Sequence, residues 1–314
     1  MSSTSLTDFQ ILDTLLTTQT HSVFVAVLSG TEDVVRLMVF SPEVSQASWF
    51  RRAFKTDRGF LTTLRHKSIA RFLGDGESEG RLFFWSEPCR GVPVAQFLEQ
   101  HRNLSIEDLV EIGWQACSAL QQAHNLGFTH GGISAETVCV SDDLSVSIVD
   151  FGVARWLRAS AESADHSRPA PGQGAISDWR RDVENDLRCL AQTVLIMLPE
   201  SADEIPMART LRRLLERVQV PAADAAMLSA RDLQGRLGEL LIADGDAIEM
   251  VDRREHPVQS RWSIVDDLFP KASARDQGEN FSDRHDSPKH RQILLIIGIC
   301  IALVFLLTVA ALLR

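Results

Sequence analysis

The chain has 314 residues, 45% of them hydrophobic and 24% charged, which is enough for about two domains and a sizeable core. With 32 basic against 42 acidic residues it carries a net charge of −10, and this excludes a cationic surplus for neutralising nucleic-acid phosphates. Its five cysteines, Cys89, Cys117, Cys139, Cys189 and Cys300, contain no CxxC pair, so neither a disulfide framework nor a cysteine metal site is indicated and a reducing compartment fits best. Without tyrosine, any modified hydroxyl must belong to Ser or Thr.

The N-terminus lacks a basic and apolar signal pattern. The first elements are strand-like runs, VFVAVL at 23–28 and VVRLMVF at 34–40, joined by the turn SGTED into a hairpin. ASWFRRAFKTDRGFLTTL follows with Trp49, Ala53, Phe60, Leu61 and Leu64 at helical spacing, and RLFFW at 81–85 returns to a strand. Between them, the glycine-rich GDGESEG at 74–80 reads as a hairpin turn, since no helix follows it. Helices then take over. The long one after Ser105 opens with a capping-box pattern completed by Asp108. Strands first and helices later predict an α+β fold in two lobes.

Beyond about Asp244 the pattern changes. Residues 244–292 are rich in mixed charge and poor in apolar periodicity, and read as a flexible linker. Two readings are open for its apolar cluster Trp262, Ile264, Val265, Leu268 and Phe269: a short docking helix, or hydrophobes in a solvated linker. Ile293–Leu313 is uninterrupted by charge, and as a helix it would reach roughly 32 Å, close to a bilayer's hydrocarbon thickness of about 30 Å. Lys289, His290 and Arg291 before it, against Arg314 alone after it, place the larger portion in the cytoplasm. The expected organisation is thus a globular unit at 8–243, a juxtamembrane linker at 244–292, and a single-pass tail anchor at 293–313.

From Ala119 to Arg155 the chain reads ALQQAHNLGFTHGGISAETVCVSDDLSVSIVDFGVAR. A helix ending AHxxG, a loop histidine, two short strands and DFG follow in the order and spacing of the protein kinase family, which this stretch resembles. The flanks LRHKSIARFLG at 64–74, ENDLRCLAQTVLIML at 184–198 and SARDLQGRLGELL at 229–241 extend the likeness across residues 8–243. It implies a two-lobed kinase-like fold with a β-rich N-lobe and a helical C-lobe, in which His130, Phe151 and Asp186 have structural roles.

Phosphoryl transfer requires a glycine-rich cover for the phosphates, a Lys–Glu pair, a catalytic base and two metal-binding groups. Residue by residue, the resemblance places LTTQTH at 16–21 where the glycine loop belongs, Met38 at the phosphate-binding lysine, and Asp57 at the helix glutamate. Asp57 either answers to that glutamate or is an exposed helix carboxylate. Gly132 stands at the base aspartate, Ser134 at the loop lysine and Thr137 at the second metal ligand. Two roles are open to Arg36, which replaces the small residue of the adenine pocket: blocking that pocket, or substituting for the lysine. Asp150 alone survives of the metal-binding pair, as either a Mg²⁺ ligand or a structural cap. Loss of one general base typically slows transfer about 10²- to 10⁴-fold.

The expectation is a membrane-anchored pseudokinase that works by binding, with no intact catalytic set, no expected cofactor, and an active kinase or its substrate as partner. The alternatives are an atypical serine/threonine kinase, using ATP and Mg²⁺ through Arg36 and Asp150, and a nucleotide sensor without transfer. Residues 158–179 read as a mobile loop whose serines are Ser160, Ser163, Ser167 and Ser177.

Overall fold

A computed structural model describes residues 4–31, 33–100, 104–162, 176–220 and 229–243. The linker, the apolar run at 293–313, the cluster Trp262–Phe269, Ser163 and Ser167 lie outside them. Among the described residues no helix is long and apolar enough to cross a membrane.

The N-lobe is an antiparallel sheet of β1 (Phe9–Thr17), β2 (His21–Leu28), β3 (Val34–Phe40), β4 (Phe72–Ser78) and β5 (Arg81–Ser86), in the order β1-β2-β3-β5-β4. Strand alternation divides β3 between two cores. Val35, Leu37 and Val39 pack with Phe9, Phe83 and Trp85 on one face, while Met38 and Phe40 join the main core on the other. By the same alternation Arg36 shares the face of Met38. Helices α1 (Pro42–Gln46) and α2 (Ser48–Thr63) cross that face, and α2 buries Phe50, Ala53, Phe54, Asp57 and Leu61.

A second sheet begins where the chain leaves β5. Strand β6 (Val92–Pro93) pairs with β7 (Val138–Val140), which pairs with β8 (Val146–Ile148). Helix α3 (Val94–Gln100) follows β6, and α4 (Ile106–Asn125) forms the centre of the C-lobe. Ser105 caps α4 reciprocally: its Oγ accepts from the Asp108 amide at 3.1 Å, and Asp108 Oδ2 accepts from the Ser105 amide at 3.0 Å. Helices α5 (Val153–Glu162), α6 (Ile176–Leu195), α7 (Pro206–Gln219) and α8 (Ala230–Ala243) complete the lobe.

The sequence reading is corrected at three places. Strand β1 was not anticipated, because six of its first seven residues are not buried and it carries no apolar alternation. In the glycine-rich stretch the turn is confined to Glu79 and Gly80, with φ of 52° and 72°. Gly74 belongs to β4, where a Cβ would lie 2.3 Å from the Trp85 ring, so glycine there admits an indole. Finally, the expected loop at 158–179 is helical at both ends, as α5 and α6.

Helix α5 is tied to the N-lobe by Trp156, which is fully buried. Its indole meets Phe54 edge-on at 5.1 Å, Phe84 at 6.1 Å and Phe50 at 6.3 Å. This aromatic group therefore joins α2, β5 and α5 in one core. Replacing Trp156 with Ala is expected to lower stability by about 3–5 kcal/mol, as for other large-to-small changes in close-packed cores; urea unfolding of the purified chain measures it.

Candidate functional site

The loop between α4 and β7 is held from below by Asp186 of α6, which is completely buried. Its Oδ2 accepts from the His130 amide at 2.8 Å and its Oδ1 from the Gly131 amide at 2.7 Å, while His124 Nε2 lies 3.1 Å from Oδ2. His130 Nε2 donates to the Val149 carbonyl at 2.8 Å, so Nδ1 is left to accept from the Gly132 amide at 3.1 Å. Burial pushes the His130 pKa down, in keeping with this neutral form. Phe151 packs edge-on against the imidazole at 4.6 Å. Thr137 Oγ1 accepts from the Ser134 amide at 2.9 Å and faces the Gly132 carbonyl at 3.3 Å, closing the loop on itself. Ser134 Oγ in turn accepts from the Glu136 amide at 3.3 Å.

Helix α5 is seated directly on this loop. A Cβ at Gly132 would come 2.4 Å from that of Ala154, and one at Gly131, whose φ is 79°, would lie 3.0 Å from that of Arg155. Arg158 also donates to the Gly131 carbonyl. The position corresponding to a base aspartate is therefore closed to any side chain while α5 stays in place.

Asp57, on α2, is 2% exposed and belongs to the same arrangement. Its Oδ2 accepts from Arg155 Nη2 at 2.5 Å and from Trp156 Nε1 at 2.5 Å. Arg155 further stacks its guanidinium 4.6 Å from the Phe128 centroid. Burial raises the Asp57 pKa, and Arg155 and the indole oppose that shift. The exposed-carboxylate reading is thus overturned: Asp57 is a buried acceptor, and its partners come from α5 rather than from β3.

On β3, Met38 is fully buried in the main core. Arg36 instead reaches across to Asp150. Its Nη2 donates to Asp150 Oδ2 at 2.7 Å and its Nη1 to Oδ1, a two-pronged pair with little solvent exposure on either side chain. Burial works against the Arg36 charge, but the attraction and hydrogen bonding of Asp150 outweigh it and the pKa is raised. Asp150 adopts φ of 65°, a left-handed conformation that aspartate tolerates better than most residues.

The β1–β2 turn replaces a glycine cover with hydroxyls. Thr18 Oγ1 accepts from the Thr20 amide at 3.2 Å and the His21 amide at 3.0 Å, and donates to the His21 carbonyl at 2.9 Å. These bonds use backbone amides that would otherwise be available to phosphate. Beside Asp150, a cavity of about 20 Å³ lined by Leu61, Leu64, Phe72, Phe84, Ser86 and Phe151 has room for about one water.

Residues 18–173, about half of the chain, match the family described as protein tyrosine and serine/threonine kinase. The serine/threonine-protein kinase PknB of Mycobacterium tuberculosis is 24% identical over 62% of this chain and 33% of its own length. A probable serine/threonine-protein kinase of Clostridium perfringens is 21% identical over 60% of this chain and 28% of its own. The matches thus span about a third of these relatives. The crystal structure of the Mycobacterium tuberculosis PknI kinase domain superposes with a TM-score of 0.58 at 20% identity, covering 77% of this chain and 98% of that one. The chain belongs to the protein kinase family, of Ser/Thr-like type, and has its two-lobed fold.

Kinase relatives use ATP and Mg²⁺, but the residues present do not fit that pair. Both oxygens of Asp150 face Arg36, Thr137 is spent within its own loop, Met38 is neutral and buried, and the β1–β2 amides are engaged. Sequence reasoning missed Ala154, Arg155 and Trp156; the consecutive glycines 131 and 132 were the visible sign that something packs closely there.

The Gly132→Ala substitution is expected to lower stability by about 1–3 kcal/mol through overpacking, and Ala154→Gly to restore most of it, as measured by urea unfolding of the single and double variants. A pH dependence follows from the histidines. Burial pushes both His130 and His66 below the ordinary value of 6.5, so the folded state holds fewer protons than the unfolded one. The stability they contribute is full above about pH 6.5 and falls as the pH drops through their folded values. Because His66 Nδ1 accepts from the Ser68 amide at 3.1 Å, an Asn oxygen can replace it. His66→Asn is expected to flatten the fall between pH 7 and about pH 5 in denaturant titrations.

Proposed function

We propose that the chain is a membrane-anchored pseudokinase that acts by binding, as a scaffold or allosteric regulator in serine/threonine phosphorylation signalling. The observation that carries this reading is the engagement of both Asp150 oxygens by Arg36, which sets a guanidinium where a metal ion would have to bind. It is supported by the seating of Ala154 against Gly132, which leaves no volume for a base. Both are losses of chemistry within a retained scaffold. The partner is an active kinase or its substrate, and the apolar run at 293–313 holds the chain to a membrane with the kinase-like domain on the cytoplasmic side.

Calorimetric titration of the detergent-solubilised full chain with ATP and Mg²⁺ tests the proposal. The expected result is no saturable heat at millimolar nucleotide, and none gained by adding metal. Saturable Mg²⁺-dependent binding, together with phosphotransfer to a protein substrate that Asp150→Ala abolishes, would replace this reading with an atypical serine/threonine kinase. Binding without transfer would replace it with a nucleotide sensor.

A further inference from the structure

Helix α7 is strongly basic within a chain whose net charge is −10. It holds Arg209, Arg212, Arg213 and Arg217 against the single carboxylate Glu216. Met207, Ala208, Leu211 and Leu215 are buried and fix its inward face. Arg209, Arg213 and Arg217, spaced four residues apart, then fall within roughly 80° of arc on the outward side, in a row about 12 Å long. All three are exposed, as is Glu216 beside them. Arg212 lies off the row and is tied to its own lobe: its Nε donates to Asp203 Oδ1 at 2.8 Å and its Nη2 to the Pro199 carbonyl at 3.3 Å. Among the described residues the three arginines of the row make no such bond. Ile205 and Val220, which cap α7 at its two ends, are exposed as well.

We propose that this face of α7 docks on the anionic phospholipid surface of the membrane to which residues 293–313 hold the chain. The inference rests on the anchor reading and deepens it, by saying which side of the kinase-like domain meets the bilayer. A guanidinium is weakly hydrated and offers phosphate oxygens two parallel N–H donors, so arginine suits phospholipid headgroups. A straight row on one side of a helix meets a plane along its whole length. The exposed apolar side chains at its ends match the boundary between headgroups and hydrocarbon.

Tethering supplies what three arginines alone would lack. Residues 244–292, as a flexible connection, keep the domain within roughly 40 Å of the bilayer. Docking is then an intramolecular event at high effective concentration, and it needs no deep site. The negative potential of the leaflet attracts the row at short range. The remainder of the chain is acidic on balance and is repelled by the same surface, which selects one orientation.

Arginine footprinting tests the proposal. The full chain is reconstituted into lipid nanodiscs of phosphatidylcholine, alone or mixed with phosphatidylglycerol, and treated with phenylglyoxal; mass spectrometry reads the modification of each arginine. Arg209, Arg213 and Arg217 should react several-fold more slowly in the anionic discs than in the neutral ones, while Arg52, exposed on α2 of the N-lobe, reacts equally in both. Molar salt should abolish the difference. Arg213→Glu, at an exposed position where urea unfolding should match the wild type, is expected to restore the reactivity of Arg209 and Arg217 in anionic discs. Equal reactivity of the row in both discs, with the chain inserted in both, would overturn the docking and leave the anchor standing. Equal protection of Arg52 would also overturn it, as a lipid effect without a preferred face. Protection by polyglutamate but not by anionic discs would reassign the face to an acidic protein segment. A chain that co-elutes only with anionic discs and keeps the protection would support the docking and remove the anchor, and one that co-elutes with neither would overturn both.

Discussion

A Cβ at residue 132 and the Cβ of Ala154 would be 2.4 Å apart, so the catalytic-loop position and the first turn of α5 compete for one volume. Glycine at 132 resolves that competition in favour of the helix. Once α5 is seated, Trp156 enters the aromatic core of the N-lobe and Arg155 is carried to Asp57. Asp57 lies on the buried face of α2, and a buried carboxylate without a partner is strongly unfavourable. The Trp156 indole and the Arg155 guanidinium satisfy it from a single helix, so the close approach at Gly132 is what makes the charge on α2 tolerable.

Asp57 and Asp150 have each acquired an arginine partner. In an active kinase, a lysine from β3 would face the α2 carboxylate and the DFG aspartate would face metal. Here the cation on β3 is displaced by two residues, from position 38 to Arg36, and goes to Asp150, while Asp57 turns to Arg155. Both pairings are internally neutral. Neither presents an unmatched positive charge to a phosphate or an unmatched negative charge to a metal. Loss of either member of such a pair would strand the other in a low-dielectric setting at a cost of about 3–5 kcal/mol, and that cost ties Arg36 and Asp150 to one another.

Local signals in the sequence translated well into structure, and signals that depend on distant partners did not. The Ser105–Asp108 cap is legible because both bonds lie within one turn. The β2–β3 hairpin is legible because alternation and turn residues are adjacent in the chain. On α2 the apolar spacing predicts Trp49, Ala53, Phe60, Leu61 and Leu64; Ala53, Leu61 and Leu64 are buried, whereas the stripe also takes in Phe50, Phe54 and Asp57 and leaves Trp49 half-buried. Phe60 remains 37% exposed. A carboxylate at the centre of the stripe concealed it, since periodicity of apolar residues cannot register a buried charge whose partners lie far along the chain. The same reason hides α5: its ten residues have no local mark of their seat, which is formed by α2, β5 and the glycine pair. Substituted site positions were legible only through resemblance, and resemblance could say what was missing from 36, 57 and 132 without saying what had taken its place.

Retention of the loop without its chemistry has a simple physical basis. Asp186 grips the backbone amides of His130 and Gly131, and His130 grips the Val149 carbonyl and the Gly132 amide. None of these bonds involves a side chain at 132 or 134. The hydroxyl at 137 adds a brace instead of removing one. The loop's shape is consequently independent of the residues that phosphoryl transfer would need there. What joins the lobes is independent of them as well: the Arg36–Asp150 pair runs from the N-lobe sheet to the segment after β8, and the Trp156 indole runs from α5 into the N-lobe core. Both contacts are complete within the polypeptide, so the lobes are joined without any ligand between them.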